Sequence, residues 1–388
     1  MAAEGTTSTA HDVFNASLEY ASQQNATKTP SWPDYPEHYS AAFQAYWAAS
    51  PQRHVIAALH VYAAPVLLLL GTAGNVLACG ALRHKLSKHA SVFFYLALYA
   101  ITNTVSLWLA CGLVWLSSVT HTQYIANQAD WICRVWTFVF SVLHYTSPWL
   151  VVLTTFDRLV YVCAPARVHS LCTVFSAKAL STLVVVMLVV VSTHAMWSYQ
   201  LLGGGCGIDE SSRRDVFTHV WPYVAATVYI YLPIVLIVVF SLLIVINLLE
   251  LRARRYQSRN TSPLQQRLTL AVLVIAATLV VFYLPTVVIN VLRRVLLPRL
   301  TNHDRLVSLI FAIQLNEVIL WLSCCVNLPL YLLVLPQLRH ELRDWLASLC
   351  CRRRESATDA TTLGTIEVNG ALLSEKTDDS QPQQLTAV

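Results

Sequence analysis

The chain has 388 residues, 56% of them apolar and only 12% charged, with a formal net charge of +5. A water-soluble domain carries roughly twice that charged fraction, and a mean hydropathy of +0.52 tells against a soluble enzyme or a nucleic-acid-binding protein. The basic residues stand beside long apolar stretches, where they orient a membrane protein.

A helix needs about 20 apolar residues to cross the hydrocarbon core of a bilayer. Seven stretches meet that requirement, over 54–82, 90–118, 131–163, 175–202, 218–250, 266–292 and 305–335. Lipid offers no partner to an open backbone group, so these spans must be helical. The fold class expected is therefore an all-α membrane protein, a seven-transmembrane helix bundle over 54–335.

Ahead of it, residues 1–53 form a polar, Ser/Thr-rich tail, too long before the first apolar stretch for a cleaved signal peptide. This tail holds two glycosylation triplets, at Asn15 and Asn25. The first span contains Gly74-Asn75-Val76, and the second reads Leu96-Ala97-Leu98-Tyr99-Ala100. The third opens at Cys133, aligns Trp136, Phe140 and His144 on one face, contains Pro148 and closes on Asp157-Arg158-Leu159. His194 and Trp197 lie near the outer end of the fourth span, and Cys206 follows in the next loop.

Pro233 falls in the fifth span, and Phe282-Tyr283-Leu284-Pro285 in the sixth, followed by Thr286, Asn290, Arg293 and Arg294. The seventh carries Gln314, Glu317 and Trp321, then Asn327-Leu328-Pro329-Leu330-Tyr331. Over 336–351, Leu338, Leu342, Trp345, Leu346 and Leu349 recur at helical spacing among charges. They predict an amphipathic helix on the membrane surface, ending at the palmitoylation sites Cys350 and Cys351. Residues 352–388 are polar and read as a disordered tail, with Ser356, Thr358, Thr361 and Thr362 available for phosphorylation and arrestin recruitment.

Seven spans put the two termini on opposite sides of the membrane. With the N-terminus outside, 17 of the 26 Lys and Arg residues fall on the inner side, as the positive-inside rule requires. The glycosylation triplets agree with that orientation. Of the 10 cysteines, only Cys133 and Cys206 then face the oxidising side, and a bridge between them would tie the loop after the fourth span to the third.

In this order and spacing, the motifs resemble the rhodopsin-like (class A) G-protein-coupled receptor family over about residues 54–350. Within the family, the overall pattern is similar to invertebrate neuropeptide receptors of the FMRFamide and myosuppressin type. The resemblance implies that Asp157-Arg158 is the family's Asp-Arg-Tyr, whose arginine meets the G protein. Asn327 and Tyr331 then belong to a displaced Asn-Pro-x-x-Tyr. Pro233 and Pro285 become hinges, and Tyr283 the aromatic switch beneath the ligand. A static kink at each proline, or an interfacial ion pair at Asp157-Arg158, is the plainer alternative.

Several positions depart from the family. Ala100 stands where the family keeps a sodium-binding carboxylate, beside the neutral Ser147, Ser323 and Asn327, so sodium binding is expected to be lost. Ser241 replaces a tyrosine that steadies the activated arginine, and Pro148 adds an unusual kink to the third span.

The ligand is narrowed by what is missing. No lysine lies between Arg305 and Tyr331, which removes retinal, and no acid lies between Cys133 and Asp157, which removes simple amines. Trp136, Phe140, His144, Asn290, Arg293, Glu317 and Trp321 instead outline a wide aromatic site with both signs of charge, suited to a peptide. The plainer alternative for the two tryptophans is packing or a place at the membrane interface. Expected partners are thus an extracellular peptide, a heterotrimeric G protein, an arrestin and membrane lipid, at the plasma membrane. No metal-spaced cluster, cofactor motif or nucleophile–base pair appears, so no enzyme is expected. The rivals are a ligand-independent or scavenger receptor and a transporter, although no internal repeat supports the latter.

Overall fold

The computed structural model describes residues 41–82, 91–202, 205–208, 216–253, 263–296, 303–335, 339–340, 342–345 and 347–348. Seven helices in it are long and apolar enough to cross a membrane: Pro51–Ala81, Ser91–Thr120, Asp130–Cys163, Val174–Ser198, Tyr223–Glu250, Leu264–Leu292 and His303–Val334. They are called spans 1 to 7 below. The expected seven-helix bundle is the fold the chain adopts.

Prolines accompany three irregularities of the spans, whereas the π-turn of span 2 at Trp108–Gly112 has no proline near it. A proline has no N–H for the carbonyl four residues back, and its ring crowds that carbonyl. Upstream of Pro65 the helix widens to a π-turn at Leu59–Ala63, where Ala64 N–H reaches Leu59 O. The same happens before Pro233, at Thr227–Tyr231, where Leu232 N–H reaches Thr227 O. Span 7 stops at Cys325 and restarts at Asn327–Val334, because Pro329 can neither donate to Cys325 O nor pack beneath it. Pro148 and Pro285 lie inside helices that continue past them.

Span 3 is the axis of the bundle. From Thr146 to Thr155 every residue is buried, as expected of a helix surrounded by others, and it packs against spans 2, 4, 5 and 6. Trp149 on this stretch donates its indole N–H to Val228 O at 3.0 Å, tying span 3 to the π-turn of span 5. Outward faces are aliphatic and open to lipid, as at Val235, Leu242, Val281 and Leu284. Spans 1, 2 and 7 approach closely at Gly71, where a Cβ would stand 2.4 Å from the Leu107 side chain and 2.9 Å from Cys325 Sγ.

Two segments differ from the sequence-based boundaries. Span 4 ends at Ser198, and residues expected to complete it form β1 (Tyr199–Leu202), paired antiparallel with β2 (Gly205–Ile208), Leu201 opposite Cys206. The polar tail expected to run to residue 53 instead forms a helix at Ala41–Ala49, and span 1 begins at Pro51. Its Phe43 and Trp47, one turn apart, bury one face on span 7. Beyond span 7, residues 342–345 are helical, with Leu342 packed on the core and the Trp345 ring over Gly80. The acceptors Asn15, Asn25, Cys350 and Cys351, and the whole tail 352–388, lie outside the described residues.

Candidate ligand and coupling sites

The two ends of the bundle are chemically unlike. At one end Cys133 and Cys206 are bridged, with their Cα atoms 5.5 Å apart. The β-hairpin is pinned to the same place by three further bonds. Arg134 Nε donates to Tyr199 O at 2.9 Å, Leu201 N–H to Asp130 Oδ1 at 2.7 Å, and Cys206 N–H to Asn127 Oδ1 at 2.7 Å. The loop is thereby held across the mouth of span 3.

Below it runs a column of rings. Trp136 stacks on Phe140 with centroids 6.0 Å apart, and Phe140 on His144 at 5.1 Å. The column continues through Tyr145, which lies parallel to Tyr229 of span 5 at 4.3 Å. Helical spacing of i and i+4 produces this alignment on span 3. Tyr124 closes its upper end edge-on against Trp136.

The other candidates are dispersed around the column. Trp321 is buried against His60 of span 1, with ring centroids 5.3 Å apart, which makes it part of the wall between spans 1 and 7. Asn290 spends its amide on Thr286 O of its own helix. Glu317 is half-buried, and the Arg293 side chain lies outside what is described. His194 is buried near Tyr199 and Trp221, whereas Trp197 is 55% exposed. Tyr283 is buried in the core, one turn below Val287. Asn316, which the sequence reading passed over, exchanges hydrogen bonds with Thr286 at 3.0 and 3.2 Å and so joins spans 6 and 7.

Midway along the bundle span 2 meets span 3 through polar side chains. The residue that meets the polar cluster is Asn103, one turn beyond Ala100. Ser147 Oγ donates to Asn103 Oδ1 at 2.9 Å and contacts Thr102 Oγ1 at 3.2 Å. Ala100 faces span 1 and lines a groove with Asn75, Cys79 and Thr104. Asn75 in turn donates to Cys324 O at 3.0 Å, next to the break in span 7. A carboxamide and hydroxyls supply no net charge against a cation, so this cluster does not fit a sodium ion.

At the opposite end, Arg158 is 3% exposed and doubly held. Its guanidinium meets Asp157 Oδ2 through Nη2 at 2.7 Å and Nε at 3.3 Å, and Nη1 donates to Gln265 Oε1 of span 6 at 2.8 Å. Tyr161 lies beneath it, with the ring centroid 4.8 Å away. Asp157 also accepts from the Ser91 hydroxyl at the start of span 2. Cys172 donates to Asp157 O, and burial together with the Asp157 charge pushes its thiol up to about 12, which keeps it protonated. Asn327 and Tyr331 are buried in the last turns of span 7. Gln265 and Ser91 were missed because an isolated Gln or Ser at a helix end carries no signature in sequence.

A seven-span bundle with a bridged loop at one end of span 3 and a buried Asp-Arg pair at the other defines a membrane receptor of the G-protein-coupled class. The family model for "7 transmembrane receptor (rhodopsin family)" matches residues 74–331, and the chain belongs to that family, as a multi-pass membrane protein. No curated protein matches the chain.

Proposed function

We propose that this receptor reads an extracellular peptide, of the amidated neuropeptide class, and activates a heterotrimeric G protein. The observation that carries the reading is the Arg158 lock. Arg158, a buried cation of span 3, is fastened to span 6 by a neutral acceptor, Gln265, while span 3 bears the ring column at its other end. Outward movement of span 6 about Pro285 breaks that bond and opens a cleft around Arg158 for the G protein. A ligand drives the change only by binding the open state more tightly.

In this reading the end carrying the disulfide is extracellular, at the plasma membrane. The leader 1–53 is glycosylated at Asn15 and Asn25, Cys350 and Cys351 are palmitoylated at the end of the surface segment 336–351, and the tail 352–388 is the arrestin site. Trp136, Phe140 and His144 seat an aromatic side chain of the peptide, and Asn290, Arg293 and Glu317 take its polar and charged groups. Likeness to FMRFamide and myosuppressin receptors makes an amidated peptide the first choice.

The test is a G-protein-activation screen of cells expressing the chain against amidated neuropeptides, with Arg158→Ala alongside. A response lost in Arg158→Ala, with peptide binding retained, is expected. Silence across the library at confirmed surface expression would overturn the peptide reading. The neutral acceptor at Gln265 favours one alternative, a receptor active without ligand, and the same assay would read that as Arg158-dependent signal in unstimulated cells.

A further inference from the structure

The helix Ala41–Ala49 is fastened to the outer end of span 7. Phe43 and Trp47 are 1% and 3% exposed and pack with Leu306, Val307 and Ile310. The rings of Phe43 and Tyr46 both stand edge-on to His303, at 5.5 and 5.6 Å. The Tyr46 hydroxyl donates to Asp304, and that carboxylate raises the pKa of the phenol. Only Ser50 separates this helix from span 1. Its hydroxyl donates to Trp47 O and accepts from Arg53 N–H, closing one helix and opening the next. A one-residue joint and an apolar seat therefore clasp the start of span 1 to the first two turns of span 7.

The seat is also imperfect. Trp47 Nε1 is buried and meets no acceptor among the described residues, and a buried donor left open weakens the contact that buries it. The Tyr46–Asp304 bond is exposed to solvent. The clasp can open without disturbing the core, since its apolar cluster is separate from those of the bundle. What it grips is the helix that continues through Glu317 and Trp321 to the break at Val326, Asn327 and Tyr331.

We propose that residues 41–49 are a releasable strap. Seated, it holds span 7 against span 1 in the resting arrangement; released, it lets span 7 shift and favours the arrangement in which span 6 leaves Arg158. The second half rests on the coupling mechanism proposed above, whereas the first depends on the packing alone.

Both halves can be read in the full-length chain in lipid nanodiscs, with no G protein present. Amide hydrogen exchange over 303–311 reports the seat, and the distance between spin labels on spans 3 and 6 beside Arg158 reports the state. Trp47→Ala is expected to speed exchange over 303–311 about tenfold and to enlarge the open fraction. Tyr46→Phe should act the same way more weakly, and an oxidised Trp47→Cys, Val307→Cys pair should restore slow exchange and the closed distance. Unchanged exchange in both single variants would overturn the strap itself. Faster exchange with an unchanged span 3–6 distance would overturn its regulatory role. Because neither readout needs a ligand or G protein, a silent peptide screen leaves this result intact.

Discussion

Replacing Gln265 by alanine removes the one side chain of span 6 that the structure shows accepting a hydrogen bond from Arg158, at 2.8 Å. A hydrogen bond to a charged group contributes about 1.5–3 kcal/mol net when both partners are buried. Gln265 is only half-buried, and the vacated space admits water to the guanidinium, so about 1–1.4 kcal/mol is the expected loss to the closed state. The Asp157 pair lies within span 3 and does not cross to span 6, so it is left out of this difference. The open fraction should then rise about five- to tenfold, since 1.4 kcal/mol is a factor of ten. Gln265→Glu should act in the opposite direction, placing a carboxylate where the neutral acceptor now stands. The assay is spontaneous nucleotide exchange on a heterotrimeric G protein in membranes, normalised to surface receptor. Equal basal rates in Gln265→Ala and the native chain, or a rise in Gln265→Glu, would refute the reasoning.

Two further outcomes follow from the geometry. Cys133→Ser opens a bridge spanning 73 residues of chain; the chain-entropy relation gives about 4 kcal/mol as an upper bound, because membrane insertion already restrains spans 3 and 4. Lower surface expression and a lower Tm in detergent are expected, and an unchanged Tm would show that the three hairpin bonds suffice. Asn103→Asp should create a sodium-dependent receptor. Its Tm should rise in NaCl over KCl, by an increment equivalent to about 1.4 kcal/mol at ten times Kd, while the native chain shows no difference between the salts. Equal response in both chains would mean that Asn103 does not face the polar cluster.

Much of this was legible in the sequence because membrane helices announce themselves by length and hydropathy, and because Cys133, Arg158 and Pro285 have fixed partners in sequence space. The third-span column was readable from the spacing of Trp136, Phe140 and His144 alone. The part played by Asn103 in span 2 was not read, although a carboxamide within an apolar helix must find a polar partner, and that requirement was the signal that could have found it. Gln265, Asn316 and Ser91 were invisible for another reason: each is a neutral side chain that bonds to a distant helix, and nothing local marks it. The leading helix escaped because only two of its residues, Phe43 and Trp47, are large, buried and apolar, and their partner lies more than 250 positions away.

These neutral contacts bear on how the receptor is set. Among the bonds that cross between spans are Arg158 to Gln265, Ser147 to Asn103 and Thr286 to Asn316. Hydrogen bonds of this kind contribute about 0.5–1.5 kcal/mol each, rising to about 3 where one partner is charged. Together they hold the resting arrangement by a few kcal/mol. Carrying a two-state equilibrium from 1:99 to 99:1 takes about 5.5 kcal/mol of differential binding. On the function proposed above, a peptide at the ring column needs only a few well-placed contacts that improve in the open state to reach that figure. The same softness predicts measurable activity without ligand, and it places the control of that activity in side chains that bear no charge.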